Sequence, residues 1–252
     1  MQGYGELFAH IYNDKWGGFA AGLGTSLEQL IAALPGIPAE KKMLDLCCGT
    51  GQLSNYFVAA GYAVTGIDLS AHMLHHAREN NAAAVADGRA RFIQADAADF
   101  ELETPVSVVV STYDALNHLP DLNALSACFQ NVFHSLHPGG LFVFDLNTRY
   151  GLMRWNHLDI REDDHFFLVN RGEYDGGERA YSRITGFLRQ ENGLYSRFYE
   201  EVFNTVFEIA DVDAALAETG FRDTFHALYS DLQTPLEELT GIGRLFFITR
   251  KP

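Results

Sequence analysis

The sequence predicts an α/β fold: a doubly wound, mostly parallel sheet interrupted by an antiparallel β meander. Three observations carry that expectation. Between residues 43 and 148, short apolar runs alternate with stretches of helical period, and strand, helix, strand in repetition means parallel strands with right-handed crossovers. After Asn147 the helical stretches give way to long alternating runs divided by "DGG" and "ENG". At Asp211 the helical rhythm returns.

In chain order, the first forty residues read as helical, punctuated by Gly22, Gly24, Pro35 and Pro38. Strands are expected at Met43–Cys47, Tyr62–Ile67, Ala90–Gln94, Val106–Ser111 and Leu141–Leu146, with helices at Gln52–Ala60, Ala71–Asn80 and Leu122–Leu136 between them. In the last helix Leu122, Leu125, Phe129, Val132, Phe133 and Leu136 follow a 3.6-residue period behind Asp121, a residue type that accepts the orphan amides of a first turn. Ser70 stands in the same relation to the helix before it. His165–Tyr174, Arg179–Gln190 and Leu194–Phe207 read as three strands of a meander, turned at 175–177 and 191–193, the second turn carrying Asn-Gly. Asp211–Thr219 restarts a helix closed by Gly220, and Arg222–Ser230 and Gly243–Arg250 supply two final strands.

Composition narrows the function classes. The 252 residues suit one large domain or a domain with an insertion, and 47% of them are hydrophobic, enough for a full core. A formal charge of −15, from 33 acids against 18 Lys and Arg, argues against nucleic acid or an anionic membrane as partner. No run of eighteen apolar residues spans a bilayer, and no basic-then-apolar leader opens the chain. With only three cysteines, two of them adjacent, a reducing cytoplasmic location is expected.

"MLDLCCGTGQL" (43–53) then falls at the first strand, a tight loop and the first helix of the α/β unit. Gly49 and Gly51 permit close backbone approach to a ligand at a helix N-terminus. A third glycine of the dinucleotide fingerprint and the Gly-Lys-Ser/Thr of a P-loop are both missing. Cys47 and Cys48 read as small packing residues, since no Cys-x-x-Cys partner exists; His72, His75 and His76 read as a helix face rather than a metal site, and Asp45 as structural. Asp68 ends the second strand, seventeen residues after Gly51, where an acid accepts hydrogen bonds from ribose hydroxyls. Asp96 in "QADAADF" and the polar "STYDALNHLP" after the fourth strand repeat the pattern. Acids thus recur at the carboxyl edge, where ligands bind in open α/β sheets.

"LDLCCGTGQL", "GIDLSAHML", "FIQADAADF", "STYDALNHL" and "HPGGLFVFDLNT" resemble, in order and spacing over residues 40–150, the class I S-adenosylmethionine-dependent methyltransferases. "YGELFAHIYNDKWGGFA" resembles the N-terminal cap of a small-molecule subgroup with an antiparallel insertion. The resemblance implies a Rossmann-like, seven-stranded sheet closed by an antiparallel pair, with a cap at 1–40, a core at 41–149 and 208–252, and a β lid at 150–207. It implies that Gly49 and Gly51 line the methionine part of the cofactor, that Asp68 binds its ribose, and that Leu69 and Met73 pack near the adenine. Asp96 would accept from the adenine amino group with the Ala97 amide beside it. Tyr113 would lie at the reactive end, and Tyr4, Tyr12 and Trp16 would close over the cofactor, although Asn13 stands where the subgroup often has Asp. These aromatics also suit a plain core.

The expected activity is in-line methyl transfer from S-adenosylmethionine to a small-molecule N or O acceptor, leaving S-adenosylhomocysteine. His118, Asp114, Arg149 and Tyr150 are candidates to approach the acceptor; spacing singles out no catalytic base, and no metal is expected. A nicotinamide-dependent oxidoreductase is disfavoured by the missing third glycine and the lack of Tyr-x-x-x-Lys, whereas a non-catalytic cofactor-binding module stays open, as does the choice between monomer and homodimer.

Overall fold

A computed structural model describes residues 4–15 and 18–252. The chain opens with α1 (Glu6–Lys15) and α2 (Gly18–Ala33), then β1 (Lys42–Leu46), α3 (Gln52–Ala59), β2 (Ala63–Asp68), α4 (Ala71–Asn80), α5 (Ala82–Ala86) and β3 (Ala90–Gln94). Next come β4 (Val106–Ser111), a 3₁₀ turn (Ala115–His118), α6 (Leu122–Ser135), β5 (Leu136–Asn147) and α7 (Arg149–Leu152). The strands β6 (His157–Glu162), β7 (Phe166–Glu173), β8 (Arg179–Arg189) and β9 (Tyr195–Thr205) precede α8 (Ile209–Thr219), β10 (Arg222–Ala227) and β11 (Arg244–Arg250).

Seven strands form one sheet in the order β3-β2-β1-β4-β5-β11-β10. The first five run parallel; β11 is antiparallel to β5 and β10 antiparallel to β11. The doubly wound sheet and its closing antiparallel pair are therefore as the sequence predicts. Central strands are apolar almost throughout because both faces are covered. In β1, Met43 joins Leu23, Leu27, Phe57 and Leu74 on one side, while Leu44 and Leu46 join Phe129, Val132 and Leu216 on the other. Each fully buried side chain of this kind contributes roughly 1.5–3 kcal/mol. Caps fall where the sequence places them: Asp121 accepts from Ala124 N at 2.9 Å and Ser70 from Met73 N at 3.3 Å, and Gly220 closes α8 at φ 112°.

The insertion is a separate four-stranded antiparallel sheet, β6-β7-β8-β9. Sequence periodicity gave three of its strands and missed β6, whose HLDIRE is exposed at all but one position and lacks a clean apolar alternation. The alternating inner face of the sheet (Phe166, Leu168, Ile184, Leu188, Phe198) packs on Phe8 and Ile11 of α1 and on Met73 of α4. Its base is joined to the larger sheet by polar contacts: Asn117 Nδ2 donates to the carbonyls of Asn147 and Thr205, at 3.1 and 2.9 Å, and Asn147 Nδ2 to Asn204 Oδ1 at 3.1 Å.

The chain order runs outward from β1 through β2 to β3 on one side and from β4 to β5 on the other. That reversal between β1 and β4 opens a crevice at the carboxyl ends of the strands.

Candidate active site

The loop after β1 is folded against the end of β2. Cys48 N donates to Ile67 O, and Gly49 N to Asp68 Oδ2, both at 2.9 Å. Gly49 and Gly51 are left-handed, at φ 53° and 75°, but for different reasons. A Cβ on Gly51 meets Asn81 Nδ2 at 2.9 Å and Ala77 Cβ and Cα at 3.0 and 3.1 Å, so this glycine lets α4 pack on the loop. A Cβ on Gly49 faces only Tyr12 Cε1, at 3.7 Å, on the side where the crevice opens. The thiol of Cys48 is buried and that of Cys47 half-buried, and burial pushes both well above the usual thiol range, so neither presents a thiolate near neutral pH.

Asp68 closes β2 with its second oxygen accepting from Ser70 N at 2.9 Å. Burial pushes its carboxyl above the usual range, opposed by the amides of Ser70 and Gly49 and by His118. Asp96 lies just past β3, with Oδ1 accepting from Ala98 N at 2.7 Å in a tight turn that buries Ala97. Leu69 is half-buried and its carbonyl accepts from Gln94 Nε2 at 3.0 Å. Met73 is buried where α4 meets α1 and the insertion, in the cluster with Phe8, Ile11 and Phe166.

Helix α1 covers the crevice. Its start is fixed by Ser70 Oγ, which donates to Tyr4 O at 2.7 Å, and by Gly5 N, which donates to Glu200 Oε1 of β9 at 3.1 Å. Further along, Asn13 Oδ1 accepts from Gln52 Nε2 at 3.2 Å and from Asn80 Nδ2 at 2.7 Å. An amide oxygen does here, without a buried charge, what an Asp would do. Tyr4, Phe8 and Tyr12 form one stripe, with centroids 4.8 Å apart for Tyr4–Phe8 and 6.3 Å for Tyr4–Tyr12; Tyr12 meets Tyr113 edge-on at 6.5 Å, and Tyr4 meets His118 at 6.3 Å. Burial pushes the Tyr4 and Tyr12 hydroxyls up, and Asp114 and Asp68 add to it. Both phenols therefore stay neutral. Trp16 lies outside the described residues. Phe8 escaped the sequence reading, although its signal was the i, i+4 spacing 4-8-12.

Past β4 the backbone turns through two left-handed non-glycine residues, Tyr113 (φ 70°) and Asp114 (φ 51°). Asp145 of β5, fully buried, accepts from both of their amides, at 2.7 and 3.0 Å. Arg244 of β11 bridges the two acids, Nη1 to Asp145 Oδ2 at 3.0 Å and Nη2 to Asp114 Oδ1 at 2.5 Å, and lies over the Tyr113 ring at 5.2 Å. His118 Nδ1 is 2.7 Å from Phe203 O; a carbonyl only accepts, so this nitrogen carries the proton and Nε2 of the neutral ring presents a lone pair. Asp145 and Arg244 were not singled out from sequence, since their partners lie 31 to 130 residues away.

Arg149 and Tyr150 follow β5 at the start of α7. Thr148 caps α7 by accepting from Gly151 N at 3.2 Å, which turns Arg149 outward. The guanidinium bonds Glu208 Oε1 at 2.7 Å and the Tyr174 hydroxyl at 3.0 Å, and Tyr150 is 46% exposed.

Asp45, on the same face of β1 as Met43, accepts from Ser54 Oγ at 2.6 Å, and burial pushes it up to about 6 from 3.8. The folded chain thus holds this proton more tightly than the unfolded one, so stability from this group rises as pH falls from above 6 toward 4. Asp45→Asn is expected to stabilise the fold near pH 8 and to flatten that part of the profile, as read by urea unfolding at about pH 5 and pH 8. Equal destabilisation at both would contradict the assignment.

Comparison with known proteins places this crevice in context. Residues 43–140 match the family model described as a methyltransferase domain. The chain is 32% identical over 193 residues, covering 73% of itself and 77% of the relative, to the dTDP-3-amino-3,4,6-trideoxy-alpha-D-glucopyranose N,N-dimethyltransferase of Streptomyces venezuelae. Among solved structures it superposes on an S-adenosylmethionine-dependent methyltransferase from Clostridium acetobutylicum ATCC 824 with TM-score 0.78 and 23% identity, over 96% of this chain and 97% of the other. The sugar N-methyltransferase KedS8 from Streptoalloteichus sp ATCC 53650 gives 0.76 and 22%, over 100% and 95%. With the sheet order, the glycine loop and the carboxyl-edge acids, these likenesses establish the chain as a member of the S-adenosylmethionine-dependent methyltransferase family.

Proposed function

We propose that this methyltransferase acts on a small molecule bearing an amine or hydroxyl, and that its cofactor lies under α1 between Asp68, Asp96 and Tyr113. The observation that carries this reading is the cluster at the crevice: three tyrosine rings and two carboxylates, Asp68 and Asp114, gathered at the mouth of β1, β2 and β4. That donor set suits the cofactor. Gly49 offers backbone without a side chain toward the crevice, Asp68 keeps lone pairs for ribose hydroxyls beyond the two amides it accepts, and aromatic faces with nearby acids favour a cation. S-adenosylmethionine, when bound, supplies a sulfonium-activated methyl group.

The chain's own residues supply placement, worth about 7–11 kcal/mol of barrier in well-oriented systems. His118 Nε2, with its tautomer set by Phe203 O, is the group we assign to take the acceptor's proton. The 150–207 insertion acts as the lid. Supporting this, burial pushes the Tyr113 hydroxyl up and Arg161 of β6 lies close enough to oppose that rise, and Glu200 of β9 holds the start of the cap. The likeness to two enzymes named for amino-sugar and sugar N-methylation favours an amine on a sugar-sized scaffold.

The test is S-adenosylhomocysteine formation from S-adenosylmethionine with a panel of nucleotide-linked amino sugars, free amino sugars and their hydroxyl counterparts. Turnover with any member supports the small-molecule reading. No turnover across the panel, with turnover on an acyl-carrier or polypeptide acceptor, would overturn it.

A further inference from the structure

Two successive left-handed residues without glycine form an unfavourable turn, held only where its surroundings over-determine it. At Tyr113 and Asp114 the surroundings do so: one buried carboxylate, Asp145, accepts both amides, and one guanidinium, Arg244, ties that carboxylate to the Asp114 side chain while lying over the Tyr113 ring. These two holding residues come from strands β5 and β11, paired directly at Leu245↔Leu146 and Phe246↔Asp145, so the strut stands on two interior strands of the sheet. The fork of a guanidinium matters here, since an ammonium cannot bond two carboxylates in one plane while stacking on a ring.

We propose that Arg244 and Asp145 are positioning residues that fix the Tyr113–Asp114 turn and so set how the reactive end of the cofactor site discriminates a sulfonium from a neutral thioether. This rests on the cofactor placement proposed above. Tyr113 and Asp114 are the groups that face the charge; Arg244 and Asp145 act only through them. Arg244 is itself a cation beside the site, so a bare charge effect and a positioning effect have different signatures. If Arg244 acted only by its charge, Arg244→Lys would leave discrimination intact. If the fork holds the turn, Arg244→Lys loses it.

The experiment is calorimetric titration of the full chain and two variants with S-adenosylmethionine and S-adenosylhomocysteine, with urea unfolding of each. For Arg244→Lys, affinity for S-adenosylmethionine is expected to fall about three- to tenfold, the range of a lost aromatic–cation contact, while affinity for S-adenosylhomocysteine stays within about twofold. Asp145→Asn, isosteric and still able to accept one amide, is expected to shift the ratio the same way, and stands in if the lysine variant does not fold. A ratio unchanged in both folded variants, with both ligands weakened equally or not at all, overturns the proposal and leaves the pair a structural brace. Failure of the wild-type chain to bind either ligand would instead remove the cofactor placement on which it rests.

Discussion

Replacing Asp68 with alanine is expected to lower affinity for S-adenosylhomocysteine at least about a hundredfold, because two charge-assisted hydrogen bonds to ribose hydroxyls contribute roughly 1.5–3 kcal/mol each. The residue also organises what surrounds it. Its two oxygens accept from Gly49 and Ser70, so it couples the glycine loop to the start of α4 and, through Ser70 Oγ, to the Tyr4 carbonyl of the cap. Alanine therefore removes a ligand contact and loosens the loop that shapes the site. Asp68→Asn is the milder change, since the amide keeps one acceptor oxygen for the loop and loses the charge. It is expected to fall between wild type and alanine in affinity, and to cost about 1–3 kcal/mol in urea stability, because its NH2 cannot accept from one of the two backbone amides that Asp68 holds. Calorimetry with S-adenosylhomocysteine checks both variants, and wild-type affinity in a folded Asp68→Ala protein would refute the ribose assignment.

The second large effect separates two glycines that look alike in the sequence. Gly51→Ala is expected to destabilise the fold by about 2–5 kcal/mol: a left-handed alanine costs roughly 1–2 kcal/mol and overpacking typically another 1–3 kcal/mol. The new Cβ would sit 3.1 Å from the Ala77 Cα, which is backbone of α4 and cannot swing away. Gly49→Ala, with nothing nearer than Tyr12 Cε1 at 3.7 Å, is expected to cost only the left-handed term, roughly 1–2 kcal/mol, but to weaken cofactor binding more than its loss of stability implies. Urea unfolding and calorimetry on the two variants give opposite rankings if this division is right. Equal stability losses would show that the loop glycines share one role.

How much of this was legible beforehand follows from range in sequence. The α/β rhythm, the caps at Ser70 and Asp121 and the closure at Gly220 are local, and a period or a single residue type announces each of them. The strand-end acids Asp68 and Asp96 were legible because the topology repeats, placing every carboxyl end at one edge. Strand β6 was not, because its exposed edge carries no alternation. The packing of Met73 on α1 was not legible either, because its helix has two candidate faces, and which one meets α1 depends on a cap whose docking no local pattern encodes. The pairing of Arg149 was hidden for a similar reason: its partner, Glu208, comes from beyond the whole insertion. The Asp145–Arg244–Asp114 strut is the extreme case. Each member looks ordinary in the sequence, and only the pairing of β5 with β11 brings them within bonding distance of a strained turn.

The account stands most directly on one measurement: calorimetric titration of the folded, cofactor-stripped chain with S-adenosylhomocysteine, with NAD⁺ run beside it. Saturable one-to-one binding of the first and none of the second is expected, with the affinity lost in Asp68→Ala. A folded chain that ignores S-adenosylhomocysteine, or binds it with the same affinity after Asp68 is removed, would contradict the placement of the cofactor beneath the cap.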